Sequence, residues 1–271
     1  MGHGIAQVAA AAGFTTRLFD VDQARVEDGL GKIRSNLQVG IDKGKLTAAQ
    51  RDEAIARLEG TSSLERAATG AELVIEAVPE TLALKHQVLG AAAQHAGPDA
   101  ILGTNTSSLS IAAIAAALPR PERVIGTHFF NPVHIMKLLE VVVAETTATA
   151  VVDAVKAWGA ALGKECITIK DSPGFATSRL GLVIGLEAIR MVEQGVGSPE
   201  DIDKAMTLGY GFPMGPLRLT DLVGLDVRLS IAKYLSGALE HGAHFRPPQL
   251  LETMVAEGKL GKKSGQGFYR W

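Results

Sequence analysis

Apolar positions along the chain repeat with two different periods, and the changes of period mark its elements. At the start, Ile5 and Val8 share a helical face with alanines filling the rest, and Gly13 stands where a helix C-terminal glycine is expected. Residues 15–20 then read as a strand that ends in an acid, Asp20. Val26, Leu30, Ile33, Leu37 and Ile41 lie on one stripe of a long helix. Thr47-Ala-Ala-Gln50 is a capping-box pattern opening a shorter helix that runs through Leu58. A buried-strand run over residues 71–78 is stopped by Pro79. Helical patterns follow at 82–96, 111–118 and 149–162, and strands at 100–104, 123–127, 138–143 and 166–169. Strands interleaved with helices predict an α/β domain of the Rossmann type, doubly wound on a mostly parallel sheet.

After Asp171 the pattern becomes helical throughout, over 175–194, 199–208, 216–239 and 248–257. Ser198-Pro-Glu-Asp201 is a helix start, with a capping serine, proline at the first helical position and acids in the first turn. Gly181 and Gly185, four residues apart, let another helix approach closely. The chain is therefore expected to divide into an α/β domain, 1–171, and an all-helical domain, 172–271. The end, 261–269, holds too many glycines for a helix and reads as a loop that could return to a ligand.

Composition narrows the function classes. Of 271 residues, 46% are hydrophobic and 21% charged, enough for one or two ordinary domains. A net charge of −2 with no basic patch gives no reason to expect nucleic acid. The single cysteine, Cys166, excludes an intrachain disulfide framework and a Cys-rich zinc site, and no metal is expected. The most apolar run, 180–192, is interrupted by Glu187 and Arg190, so it reads as a buried helix and not a membrane span. With no presequence pattern, a cytoplasmic protein is the default.

The candidate chemistry sits in residues 126–140. A strand delivers His128, a turn follows at Asn131-Pro132, and the next strand returns Glu140. Two such strands can set an imidazole against a carboxylate, which fixes the imidazole tautomer and stabilises its protonated form, as a general base requires. The same pair also fits a core histidine with a satisfied partner. Asn105-Thr-Ser-Ser108 is a hydroxyl-rich turn at the C-terminal end of a strand, the edge where open α/β sheets hold ligands; it also fits a helix N-cap. A helix opening with glycines, then a strand ending in Asp20, is the second half of a dinucleotide-binding βαβ unit. The first strand of that unit and its first two glycines are absent, leaving Gly2 as the last fingerprint glycine. Either the natural polypeptide starts upstream or the cofactor site is damaged.

Seven motifs resemble those of the L-3-hydroxyacyl-CoA dehydrogenases, and among them the bacterial 3-hydroxybutyryl-CoA enzymes. They are Met1-Gly-His-Gly-Ile-Ala6, Val74-Ile-Glu-Ala-Val-Pro-Glu80, Thr104-Asn-Thr-Ser-Ser-Leu109, His128-Phe-Phe-Asn-Pro-Val133, Asp171-Ser-Pro-Gly-Phe175, Gly211-Phe-Pro-Met-Gly-Pro216 and Lys263-Ser-Gly-Gln-Gly-Phe-Tyr269. The resemblance spans the chain and implies oxidation of a 3-hydroxyacyl-CoA with NAD. It implies His128 as catalytic base, Glu140 as the carboxylate that orients it, and Ser107 and Asn131 beside substrate and nicotinamide. It implies NAD contacts from Gly2, Asp20, Glu80, Lys85 and Lys263, and substrate contacts from Asn36, Lys43, Ser107 and Ser178. It also implies a homodimer through the helical domain. Ser178 departs from the asparagine common in the family, and His134 from its second turn proline. Two rival readings are a dehydrogenase of a non-CoA hydroxy acid or sugar acid, and a truncated, catalytically silent homologue.

Overall fold

The computed structural model describes residues 1–271. The chain divides into two compact units, Met1–Asp171 and Ser172–Trp271.

The first unit opens with helix α1 (Gly2–Ala11), and the chain then turns at Gly13, whose φ of +99° suits a residue without a side chain. Strand β1 (Thr16–Phe19) leads to α2 (Gln23–Asp42), where the Asp22 side chain accepts from the Arg25 N–H at 2.8 Å and caps the helix. The capping box at Thr47 forms with both of its bonds and starts α3 (Ala48–Ala56). The helix read through Leu58 stops short, because Leu58–Thr61 is a strand, β2, paired in parallel with β1. Gly60 makes this possible: a Cβ there would lie 2.5 Å from Val26 Cγ1, so only a bare backbone lets α2 pack onto β2.

After α4 (Leu64–Ala68) come β3 (Leu73–Glu76), α5 (Leu82–Ala93), β4 (Ile101–Thr104) and α6 (Ile111–Ala115). Then follow β5 (Val124–Phe129), β6 (Leu138–Val143), α7 (Thr149–Ala161) and β7 (Glu165–Lys170). The strands form two sheets. One is β1-β2, and the other runs β3-β4-β5-β6-β7. Every pairing is parallel except β5 with β6, which are joined by a short connection and run antiparallel. Helix α1 starts at Gly2, where a Cβ would come within 4.0 Å of Leu18 on β1 and of Ala77 just past β3. The mostly parallel sheet with helical crossovers is the Rossmann-type architecture. Its main core gathers Ile5, Ile125, Phe129, Leu139, Val141, Val151 and Val155.

The second unit is helical: α8 (Thr177–Glu193), α9 (Pro199–Gly209), α10 (Pro216–Val223), α11 (Leu225–Ala238) and α12 (Gln249–Ala256). The Ser198 cap forms, its side chain accepting from the Asp201 N–H. The single helix read over 216–239 is broken at Gly224, whose φ of +106° no helix accommodates. Gly185 lets α10 approach α8, since a Cβ there would lie 3.1 Å from Thr220 Oγ1. Leu182, Leu186, Ile189, Leu217, Leu225, Leu235 and Phe245 fill the core.

Candidate active site

The antiparallel ladder puts His128 of β5 directly opposite Glu140 of β6. Side chains opposite one another share a face of the sheet, and here they meet: His128 Nδ1 lies 2.6 Å from Glu140 Oε2. Glu140 is fully buried and His128 is 8% exposed. A carboxylate without water nearby holds the imidazole N–H on Nδ1, which leaves the ring's lone pair on Nε2. The Phe130 ring stands 4.4 Å from the imidazole, centroid to centroid.

The hydroxyl-rich turn lies at the C-terminal end of β4, beside this pair. Asn105 Oδ1 accepts from the Phe129 N–H at 2.9 Å, tying the turn to the residue after His128. Glu80 holds the other side. Its Oε1 accepts from Thr106 Oγ1 at 2.6 Å, from the Ser107 and Ser108 N–H groups at 2.9 and 3.2 Å, and from both serine hydroxyls. Burial alone would raise the Glu80 carboxyl, but the Thr106 hydroxyl, the Lys85 charge and the Ser107 N–H outweigh it and hold the group below its ordinary value.

Lys85 does not stand where the resemblance implies a cofactor contact. A cofactor contact requires an accessible ammonium, whereas Lys85 Nζ is wholly buried between Glu76, 3.0 Å from each carboxylate oxygen, and Glu80 Oε2 at 3.3 Å. Its role is to fix Glu80. Glu76 is equally buried and also accepts from Thr104 Oγ1 and from the Val78 N–H. Glu76 is not among the residues expected from the sequence, although a Glu and a Lys interrupting neighbouring apolar runs are the signal of a buried ion pair.

Asn131 and Asn36 line one cavity of about 230 Å³, with Gly4, Pro132, Val133 and His134. The Asn131-Pro132 peptide is cis. Asn36 also donates to Gln7 Oε1 at 3.0 Å. Lys43, at the C-cap of α2, is exposed and does not line that cavity. A larger polar cleft, about 390 Å³ and lined by Arg17, Glu59 and Arg66, lies on the β1-β2 side and holds none of the candidate residues.

Asp20 follows β1 at its C-terminal end, its carboxylate accepting from the Val21 N–H and lying 3.9 Å from Arg25. In the helical unit, Ser178 sits in the first turn of α8 and Lys263 is paired with Asp226. The glycine-rich end is latched within its own unit. Asp221 accepts from the Phe268 and Tyr269 N–H groups and from Trp271 Nε1, and a Cβ at Gly267 would lie 2.2 Å from Asp221 Oδ1. These glycines clear space for a buried carboxylate.

Residues 1–172 match the family profile described as 3-hydroxyacyl-CoA dehydrogenase, NAD binding domain, and residues 174–271 match that of the family's C-terminal domain. The chain belongs to the 3-hydroxyacyl-CoA dehydrogenase family. Within this family it is 41% identical over 273 residues to the 3-hydroxybutyryl-CoA dehydrogenase of Mycobacterium tuberculosis, covering 100% of this chain and 95% of that one. The structure of (S)-3-hydroxybutyryl-CoA dehydrogenase from Ralstonia eutropha superposes with a TM-score of 0.96 at 39% identity, covering 100% of this chain and 95% of that one. The 3-hydroxyadipyl-CoA dehydrogenase of Escherichia coli is 40% identical across this whole chain, which spans 57% of that longer protein.

The residues of the first unit fit NAD. Gly2 places the bare N-terminus of α1 between β1 and the end of β3, where orphan N–H groups favour a pyrophosphate. Asp20 offers a carboxylate at the strand end for ribose hydroxyls.

Proposed function

We propose that this dehydrogenase oxidises the C3 hydroxyl of (3S)-3-hydroxybutyryl-CoA and related thioesters to the 3-oxo compound, and catalyses the reverse. Bound NAD supplies the hydride acceptor. His128 Nε2 takes the hydroxyl proton as the C3 hydride leaves, and in reduction gives it back to the 3-oxo oxygen. Glu140 keeps the imidazole in the tautomer that can do this and stabilises the imidazolium. Ser107 and Asn131 orient substrate and nicotinamide, and Glu80 and Lys85 hold Ser107. Gly2, Asp20 and Lys263 serve the cofactor; Asn36, Lys43 and Ser178 serve the thioester. Asp20 favours NAD over NADP, because a 2′-phosphate would face its carboxylate.

The observation that carries the reading is the buried cross-strand contact of 2.6 Å between His128 and Glu140 beside the Ser107 turn. The test is NADH formation from (3S)-3-hydroxybutyryl-CoA measured against free 3-hydroxybutyrate and sugar acids. Oxidation of a free acid without the thioester would reassign the substrate class, and no oxidation of any would favour a silent homologue. The reading includes a cytoplasmic homodimer formed through the helical unit, whose α9 end exposes Leu208 and Tyr210 by 83% and 79%. Light scattering tests the dimer. No helix is long and apolar enough to cross a membrane.

A further inference from the structure

Strand β4 stops pairing with β5 just short of His128, and one side chain bridges the break. The register between the two strands ends at Thr104↔Gly126. Along β4, alternate residues turn their backbone groups to opposite neighbours. Ile101 and Asn105 face β3, donating their N–H groups to the Glu72 and Glu76 carbonyls at 2.9 and 2.8 Å. The backbone groups of Thr104 and Thr106 therefore belong to the β5 side. In an unbroken parallel ladder the Phe129 N–H would be the next donor on that edge, and the Thr106 carbonyl would take it. The chain instead bends after Asn105, where Thr106 Oγ1 accepts from the Ser108 and Leu109 N–H groups at 3.3 and 2.9 Å and closes the Ser107 turn. The bend opens the sheet at its strand ends, the place where α/β folds hold ligands. It also removes the ladder partner of Phe129, a residue only 3% exposed.

Asn105 supplies the missing acceptor, its Oδ1 taking the Phe129 N–H at 2.9 Å. A backbone N–H can only donate, so the carboxamide oxygen must be the atom that faces it. The bond bears on His128 because the Phe129 N–H and the His128 carbonyl belong to one planar peptide group. Fixing that plane fixes the backbone from which the imidazole projects. On the opposite edge β6 holds the same segment, pairing His128 with Glu140 and Phe129 with Leu139. Asn105 thus anchors the end of β5 on the edge that β4 has left.

We propose that Asn105 is a positioning residue for the His128 base: its side-chain carbonyl stands in for a strand carbonyl, so that the sheet opens at the Ser107 turn while the imidazole keeps its place against Glu140. The inference rests on the proton-transfer role given to His128 above.

The test is a double-mutant cycle with a direct probe of the bond. Asn105→Ala removes the acceptor, and Asn105→Asp keeps an acceptor oxygen at the same reach. Turnover of 3-hydroxybutyryl-CoA and the NADH Kd are measured for each variant, alone and combined with His128→Gln, and hydrogen exchange is followed at the Phe129 amide. Asn105→Ala should lower kcat by about 10- to 100-fold at an unchanged NADH Kd, and its Phe129 amide should exchange at least about tenfold faster. Asn105→Asp should restore the protection and bring kcat to within about fivefold of wild type. In the His128→Gln background Asn105→Ala should cost less than about threefold, because the group it positions is gone. An Asn105→Ala kcat within about threefold of wild type would overturn the proposal. Equal losses in both backgrounds would overturn it as well and make Asn105 a direct contact of substrate or cofactor. Where Asn105→Ala does not fold, Asn105→Asp decides: a protected amide with kcat near wild type supports the proposal, and a protected amide with kcat lost overturns it. These failures leave the dehydrogenase reading intact. A His128→Gln enzyme as fast as wild type overturns the base assignment and this proposal with it.

Discussion

Glu80 is the residue whose removal should separate positioning from chemistry. Its Oε1 gathers two backbone N–H groups and three hydroxyls from Thr106, Ser107 and Ser108. Hydrogen bonds to a charged acceptor contribute about 1.5–3 kcal/mol each when buried. The Glu80 side chain is 34% exposed, so water recovers part of that, and the Lys85 pairing must be discounted for the same reason. Counting only the two backbone bonds at about 1 kcal/mol each, Glu80→Ala should cost about 2 kcal/mol. That corresponds to a thermal midpoint lowered by about 4–8 °C. The catalytic cost should be larger than the stability cost, because Ser107 loses its fixed position and a misplacement of about 1 Å can lower the rate about 100-fold. The assay is kcat/KM for 3-hydroxybutyryl-CoA, with the NADH Kd measured beside it to confirm an intact cofactor site. A kcat/KM within about threefold of wild type would refute the claim that Glu80 positions the turn.

The sign of the pH effect follows from the depressed carboxyl. Glu80 contributes its stability in full above its ordinary value of 4.5, and the contribution is lost as pH falls below that toward the lower folded-state value. Acid unfolding of Glu80→Ala should therefore lack this component, which a comparison of midpoints at pH 7 and pH 4 would detect.

Two further outcomes follow from the geometry. Gly126→Ala would place a Cβ 2.7 Å from Val142 Cβ and 2.8 Å from Ile111 Cδ1; because β-branched Val142 cannot yield, denaturant unfolding should show a loss of about 1–3 kcal/mol. Asp20→Ser should narrow the preference for NAD over NADP in kcat/KM, while an unchanged ratio would remove Asp20 from the ribose role.

Much of the fold and of the candidate site can be read from the residues, for physical reasons. Strands β5 and β6 are buried and mostly apolar, each interrupted by the ionisable residue of the pair, and their antiparallel register sets His128 opposite Glu140. Strand β2 is different. Leu58-Glu-Gly-Thr61 carries one apolar side chain, and it is a strand because it pairs with β1 and slides beneath α2 at Gly60, both tertiary effects. The break at Gly224 is also invisible to periodicity, which continues across it and sees only apolar spacing. Lys85 shows the limit most clearly. A lysine in a helical pattern reads as accessible, but its stem and ammonium are enclosed by two carboxylates drawn from β3 and from the chain after Pro79. The glycines near Lys263 read as a loop that could return to a ligand, and only the fold reveals that they make room for Asp221.

The central claim is that His128 carries the proton while the hydride moves. The most direct measurement is turnover of 3-hydroxybutyryl-CoA by His128→Gln, with the NADH Kd determined on the same preparation. The account predicts a kcat lowered by about 10²- to 10⁴-fold with an unchanged Kd. A kcat within a few-fold of wild type would contradict it and assign the proton transfer to another group.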